Sequence, residues 1–286
     1  MPELPEAEVV AQQVRAHLLG AQLTDCWVGR ADIVREGLPM LPWYRGARLD
    51  TVERYGKSVA LGFQKEGELR YLVAELGMTG LLLFRATETK HPQHVHVRLS
   101  FTGGGESELR YWNPRRFGRL SLLDRTGLDR YRARRFGVDP LTVPCDEFVQ
   151  LIQARRGRLK PLLMHQQVIA GIGNIYANEI LFRARLHPNR EVNRLRVATI
   201  LKLCDTMQAV LREAISCGGS SVKDFFAPDG TEGRYKQHHL VYGKEGQPCP
   251  NRCGRIIRRL QSERSSFYCP VCQACKTPRR SSAAAR

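Results

Sequence analysis

No run in this 286-residue chain approaches the roughly 18 consecutive apolar residues of a membrane helix. The opening Met1-Pro2-Glu3-Leu4-Pro5-Glu6 has acids where a secretion signal has cations, so no such signal is expected. Acids are scarce overall: 28 Asp+Glu stand against 45 Lys+Arg, a net charge of +17. That balance excludes an acidic solvating protein. With no hydrophobic anchor, it favours nucleic acid over membrane as the polyanionic partner. There is no internal repeat. Charged residues make up 26%, the ordinary globular share, which excludes wholesale disorder. What remains is a chain long enough for one large domain or two, with 42% apolar residues to build the cores.

The hydrophobic period changes twice. Ala7, Val10, Ala11, Val14 and Leu18 recur at helical spacing and Gly20 can close the turn, so residues 3–19 are predicted as a helix, with Pro5 tolerated in its first turn. Period 2 follows in Val59, Leu61 and Phe63, in Leu69, Tyr71 and Val73, and in Val95, Val97, Leu99 and Phe101. Lys65-Glu66-Gly67 and Gly103-Gly104-Gly105 punctuate these runs as turns. Short strands joined by short turns predict an antiparallel sandwich or barrel. From about residue 146 the helical period returns, most clearly in Val197, Ile200, Leu201, Cys204, Met207, Leu211 and Ile215 before Gly218-Gly219. Residues 218–240 have the composition of a loop, and Lys276 to Arg286 form a small, basic tail expected to be disordered.

Nine cysteines are an odd number, and a reducing compartment is expected, so no disulfide framework is predicted. Cys26, Cys145, Cys204 and Cys217 are scattered and read as buried small hydrophobes. The other five crowd the C-terminal end. Cys249-x3-Cys253-x15-Cys269-x2-Cys272 has the spacing of a four-cysteine zinc site, in which two tight knuckles at the ends of a hairpin complete a tetrahedron of thiolates. Four protein ligands leave no room for substrate, so this zinc is structural. Cys275 is the alternative ligand. Arg252, Arg255, Arg258, Arg259 and Arg264 crowd the same segment against one acid, Glu263, as suits a phosphate-binding finger or, more plainly, a solvated basic face.

Five segments, in order along the chain, resemble one family. They are Met1-Pro2-Glu3-Leu4-Pro5-Glu6, Leu76-Gly77-Met78-Thr79-Gly80, Pro114-Arg115-Arg116-Phe117-Gly118, Gly171-Ile172-Gly173-Asn174-Ile175-Tyr176-Ala177-Asn178-Glu179 and Phe267-Tyr268-Cys269-Pro270-Val271-Cys272-Gln273. All are similar to the motifs of the formamidopyrimidine-DNA glycosylase and endonuclease VIII family, and the start resembles its formamidopyrimidine branch. The resemblance implies an α+β fold. An N-terminal helix and antiparallel β-sandwich would span 1–130, a helix-two-turn-helix domain with a lesion loop 131–240, a zinc-finger β-hairpin 241–275, and the basic tail 276–286. It implies a bifunctional glycosylase and abasic-site lyase of base excision repair. Such enzymes flip oxidised purines (8-oxoguanine, formamidopyrimidines) out of damaged double-stranded DNA, excise them, and nick the strand by β,δ-elimination. One structural zinc, no organic cofactor, a monomeric state and a cytoplasmic, nucleoid-associated location follow as expectations.

Residue roles come with the resemblance. Pro2, freed by removal of Met1, is the amine nucleophile; without the family it would read as an ordinary first-turn proline. Glu3 is the acid for the sugar ring oxygen, Glu6 a supporting residue, Lys57 an active-site lysine near the lesion phosphate, and Arg264 the zinc-finger arginine that clamps phosphates. Met78, Arg115 and Phe117 match the trio that fills the hole left by the flipped base. His94, Arg155, Lys160 and Asn174 match DNA-binding positions, with His94 and His96 expected on one strand face and the backbone at Gly171 and Gly173 open to phosphate. Glu75, Asn113 and His165 depart from an expected His, Asp and Asp, and Glu75 would bring negative charge close to the cleft. Two other readings stay open: an endonuclease VIII-like preference for oxidised pyrimidines, and a catalytically silent zinc protein that binds damaged DNA.

Overall fold

The computed structural model describes residues 2–88, 91–221, 225–261 and 264–274. The alternative ligand Cys275, the basic tail, Met1 and Glu263 lie outside the described residues. Helix α1 (Leu4–Leu18) buries Ala7, Val10, Ala11, Val14 and Leu18, the face that the spacing predicts. Nine strands follow among the described residues: β1 (Gln22–Val28), β2 (Val34–Glu36), β3 (Arg48–Tyr55), β4 (Ser58–Lys65), β5 (Glu68–Glu75), β6 (Leu81–Phe84), β7 (Val95–Thr102), β8 (Glu108–Trp112) and β9 (Leu120–Leu123). Their order is β2-β9-β5-β4-β3-β1-β7-β8-β6. The β1–β3 step is held by one register pair, Gln22 opposite Arg48, while every other step except the short β2–β9 pairing is a longer ladder. The sheet folds over at that seam into two layers, with Leu61, Phe63, Leu72, Leu99 and Phe101 in the core between them and α1.

Strict alternation fails in β4, where Ser58 through Phe63 are all buried. The cause is α2 (Arg125–Arg135), which lays Leu128 and Tyr131 over Ala60, Tyr71 and Val73 on the outer face. This arginine-rich helix carries no helical hydrophobic period and starts at an Asp124 cap that accepts the Gly127 N–H at 2.6 Å. Its existence was not legible from periodicity.

Helices α3 (Cys145–Gln153), α4 (Leu159–Leu163), α5 (Asn174–Arg183) and α6 (Val197–Ser216) surround a second core that includes Phe148, Ile152, Ile180, Leu203, Met207 and Leu211. Leu4 at the start of α1 also packs here, so the first turn of the chain belongs to both cores. Val197 and Leu201, expected on the buried face of α6, are exposed. The scattered cysteines also depart from expectation. Cys145 and Cys204 form a disulfide, with Cα atoms 5.7 Å apart, that fastens the start of α3 to α6. Packing brings together residues separated by 59 positions, a proximity that spacing does not encode. Cys26 and Cys217 are only half-buried.

Two connections set the site between the cores. The Arg54 guanidinium, almost fully buried, binds Glu8 of α1 at 2.8 Å, the Gly56 carbonyl at 3.3 Å and the Asp139 carboxylate. The described part of the long loop returns to the sandwich, where Phe225 enters the first core and the Pro228 carbonyl accepts from Phe84 N–H at 2.8 Å and the Thr87 hydroxyl at 2.6 Å. Strands β10 (Arg258–Leu260) and β11 (Ser266–Tyr268) make the C-terminal hairpin. Among the described residues no helix is long and apolar enough to cross a membrane.

Candidate active site and DNA interface

Two carboxylates, each 1% exposed, lie where α1 meets α5. Glu3 accepts the N–H groups of Gly173 and Ile175 at 2.9 Å each and of Tyr176 at 3.3 Å, filling the positive end of α5. The Leu4 N–H donates to the Gly171 carbonyl at 3.0 Å, which fixes the chain immediately after Pro2 and Glu3. A Cβ on Gly173 would lie 2.3 Å from the Glu3 carboxyl carbon, so only glycine lets α5 approach this closely. Of the two glycine amides expected to lie open to phosphate, the Gly173 N–H is thus spent on Glu3, and the Gly171 N–H donates to the Gln166 side-chain oxygen at 2.8 Å.

Glu6 accepts the Glu3 N–H at 2.8 Å, the Tyr176 hydroxyl at 2.6 Å and the Ser220 N–H at 2.7 Å. Burial, with the adjacent Glu3 charge, pushes its pKa up to about 7 against the opposing pull of these donors. Glu6 thus ties Glu3, Tyr176 and Ser220 into one buried network. Tyr176 lies inside a matched motif, but nothing in the sequence marks Ser220, which is 214 positions away.

A cavity of about 580 Å³ opens beside these acids, lined by Lys57, Arg158, Lys160, Gln166, Ile172 and Arg264. Burial lowers the Lys57 pKa and the Arg264 charge lowers it further, while Glu3 and Glu6 oppose the shift. The predicted pair Lys57 and Arg264 therefore share one pocket. Lys160 lines the same cavity, and its ammonium donates to the Ser265 carbonyl at 2.8 Å and the Ser266 hydroxyl at 2.9 Å, anchoring the residues that follow Arg264. Burial brings its pKa down to about 8. Arg155 folds back on the Leu151 carbonyl at 3.4 Å, and Arg158, which sequence reasoning passed over, lines the cavity instead. Asn174 opens α5 and its carbonyl accepts from the Asn178 side chain at 2.6 Å.

Met78 and Phe117 are exposed at the tips of two loops, 39% and 56%, and the Arg115 guanidinium stacks 4.9 Å from the Phe117 ring centre. Fully buried Asn113 braces both loops. Its carbonyl oxygen accepts the Arg116 N–H at 3.0 Å and the Thr79 hydroxyl at 3.2 Å, while its amide donates to the Tyr111 hydroxyl at 3.0 Å and the Gly118 carbonyl at 3.3 Å. An aspartate here could not make the two donations. Glu75 turns away from these tips, pairing with Arg135 of α2 at 3.2 Å and Arg35 at 3.5 Å. His94 ends a short 3₁₀ turn before β7, so it does not share a regular strand face with His96. Its carbonyl accepts the Asn113 N–H at 2.9 Å, which ties it to the same loop system. His165 is exposed, and nothing in the structure explains the departure there.

The four sulfurs of Cys249, Cys253, Cys269 and Cys272 lie within 4.8 Å of one another. Tetrahedral zinc with Zn–S bonds of about 2.3 Å requires sulfur separations near 3.8 Å. Cys249 to Cys272 at 3.7 Å and Cys253 to Cys269 at 3.4 Å match that demand, and N–H donors from Cys272 and Asn251 at 3.4 Å complete the surroundings. These residues fit one structural zinc. The hairpin it closes docks through Asn178, whose side-chain oxygen accepts the Phe267 N–H at 2.8 Å, and through Gln273, which donates to the Leu186 carbonyl at 2.8 Å.

Comparison with known proteins agrees with this architecture segment by segment. The formamidopyrimidine-DNA glycosylase N-terminal domain matches residues 1–120, the H2TH domain of the same enzymes residues 136–226, and the zinc finger found in FPG and IleRS residues 246–274. The formamidopyrimidine-DNA glycosylase of Solibacter usitatus is 37% identical over 96% of this chain and 99% of its own length. The MutM (Fpg) protein of Thermus thermophilus superposes with a TM-score of 0.82 at 36% identity, covering 95% of this chain and 98% of that one. The Lactococcus lactis Fpg in complex with DNA containing an abasic site gives 0.82 at 27% identity, over 96% and 100%. With all three segments matched in order and near-complete relatives above 30% identity, the chain belongs to the formamidopyrimidine-DNA glycosylase family.

Proposed function

We propose that this base-excision DNA glycosylase works through the Pro2 amine, exposed by removal of Met1. Its lone pair attacks C1′ of an oxidised purine nucleotide, the glycosidic bond breaks, and the base departs. Glu3, held in one orientation by three amides, protonates the ring oxygen as the sugar opens. The resulting iminium is an electron sink for β-elimination and then δ-elimination of the flanking phosphates. Lys57 and Arg264, sharing one cavity, hold those phosphates. Met78, Arg115 and Phe117 fill the vacated stack, and His94, Arg155 and Asn174 bear on the backbone around it. Lys160 bears on the same backbone from the cavity that it shares with Arg264. The working unit is a monomer on duplex DNA, without organic cofactor, beside the nucleoid, with domain boundaries near 130, 240 and 275.

The observation that carries this reading is Glu3 itself: a buried acid next to Pro2, aimed by the start of α5, whose charge acts on Lys57 and Lys160 in the lining of a cationic cavity. Borohydride should reduce the iminium and leave a covalent protein–DNA species with abasic or oxidised-purine duplexes, mapping to residue 2. Retained Met1 should abolish trapping, since an amide nitrogen is no nucleophile. Glu3→Gln should slow base release by about 10²–10⁴-fold while abasic DNA still reacts. A Met1-processed preparation that traps with neither substrate would favour a silent damage-binding protein.

A further inference from the structure

A stripe on α6 holds the chain that leads into α3. Cys204, Gln208 and Arg212 follow one another at successive helical turns. The Arg212 guanidinium donates to the Leu141 carbonyl at 3.1 Å, the Gln208 amide donates to the Val143 carbonyl at 2.9 Å, and Cys204 is bonded to Cys145. Two of these three ties are independent of sulfur. Residues 141–145 therefore stay against α6 when the disulfide is open, and the two sulfurs remain neighbours. The pair is also unequal. Cys204 is fully buried, whereas Cys145 is only partly buried at the start of α3, with the Asp205 carboxylate 3.6 Å from its sulfur. The two cysteines, 59 positions apart, bracket α4 and α5. Within that loop lie Arg158, Lys160, Gln166 and Ile172 of the cavity lining and the three N–H groups that hold Glu3.

We propose that Cys145 and Cys204 are a reversible clasp on the helical half of the site, closed by a peroxide and opened by a dithiol. The reducing compartment expected of this chain keeps both thiols free until oxidant rises. Cys145, the sulfur that solvent reaches, attacks one peroxide oxygen. The O–O bond breaks, and the thiol proton passes by way of Asp205 to the departing oxygen. One water leaves, and Cys145 is a sulfenic acid. The Cys204 sulfur then displaces the hydroxyl group, which departs with the Cys204 proton as a second water. Two thiols have lost two electrons, and one peroxide has become two waters. A dithiol that attacks Cys145 returns the electrons and is itself oxidised to a disulfide. Closure restricts the unfolded chain more than it alters the native one, where hydrogen bonds already hold the segment. The clasp thus resists unfolding and leaves the chemistry alone. It goes beyond the proposed function and does not depend on it. Given that function, the oxidants that damage purines would also secure the protein that removes them.

The test uses the full-length, zinc-loaded protein. After treatment with dithiothreitol and its removal, alkylation and peptide mass mapping should find both thiols free with zinc retained. An equimolar amount of hydrogen peroxide should then join the peptides that carry Cys145 and Cys204. The closed form should melt about 5–10 °C above the open form, with cleavage of an abasic duplex below the transition equal within about twofold. Cys145→Ser, a change at the partly exposed partner, should melt with the open form and respond to neither reagent. Zinc content measured alongside separates the clasp from the four zinc thiolates. The wild-type linkage and melting comparison decide the matter even if the variant folds poorly. Absence of the 145–204 linkage, a bond that dithiothreitol opens only in denaturant, equal melting of the two forms, or a wild-type response in Cys145→Ser overturns the assignment. Wild-type protein that shows the clasp but cleaves no DNA overturns the proposed function and leaves the clasp standing.

Discussion

Met78 and Phe117 stand in solvent at 39% and 56% exposure, whereas Glu3 and Glu6 are 1% exposed. The sandwich loops hold hydrophobes wet, and the junction with the helices holds acids dry. Each inversion of ordinary placement is maintained by a different device. The wet hydrophobes are displayed by a buried polar brace, Asn113, which uses its carbonyl and amide to tie two loops together. The dry acids are held by backbone N–H groups of α5 and Ser220, since an ionised carboxylate without such donors would be prohibitively costly to bury. Exposed tips can therefore be changed at little cost to the fold, because only DNA completes their environment. The acid pocket cannot, because the fold itself completes it.

The sharpest break falls at the edge of the helical half. Cys269→Ser should remove zinc, and with it the hairpin that carries Arg264 to Lys57, since structural zinc contributes on the order of 10 kcal/mol to such small folds. Metal analysis should show loss of zinc, and duplex affinity should fall with it. Full zinc content in this variant would refute the ligand set. Next in size is Gly173→Ala, whose added methyl would meet the Glu3 carboxyl carbon at 2.3 Å. Loss of amide contacts to a buried acid should destabilise by about 3 kcal/mol and slow base release more than a hundredfold. An unchanged melting temperature would mean that the dry pocket is more yielding than its geometry implies.

The two regions also differ in how far the sequence reveals them. Strands β4, β5 and β7 and helices α1 and α6 show in their periods, and the exposed trio sits inside short local motifs. The zinc ligands show in spacing alone, because a knuckle is a local structure. The acid network does not, because its partners are backbone amides and residues such as Ser220, more than 200 positions from Glu6. Backbone donors carry no residue-type signal. Helix α2 escapes because its outer face is arginine-rich and its buried face is only Gly127, Leu128 and Tyr131. The disulfide and Arg54 escape for the same reason as the acids, since tertiary packing alone makes those pairs.

A smaller effect tests whether the dry acids titrate as their surroundings require. Glu6 has a folded pKa of about 7 against an ordinary value of 4.5, so between these limits the native state binds more protons than the unfolded one. Stability contributed by Glu6 is then full below pH 4.5 and is lost as pH rises towards 7. Glu6→Gln cannot titrate there. The unfolding free energy of Glu6→Gln minus that of wild type should therefore increase across this window by up to about 3 kcal/mol, and taking the difference cancels other titrating groups. Urea unfolding at pH 5 and pH 8 measures it. A flat difference would place the Glu6 carboxylate in an environment as favourable as water.

The smallest effect on stability belongs to the wet side, where it is paired with a large effect on function. Phe117→Ala removes a ring that is 56% exposed and stacks under the Arg115 guanidinium, so unfolding free energy should change by no more than about 0.5 kcal/mol. Base release from a duplex should still fall, because nothing then replaces the lost stacking when the damaged nucleotide leaves the helix. Reaction with an abasic site, which needs little unstacking, should fall less. Asn113→Ala should behave differently. It removes two donations and two acceptances from a fully buried brace, which should cost about 2–3 kcal/mol of stability and disorder both tips together. If Phe117→Ala destabilises as much as Asn113→Ala, or slows both substrates equally, then Phe117 is part of the core of its loop, and the contrast between displayed hydrophobe and buried brace collapses.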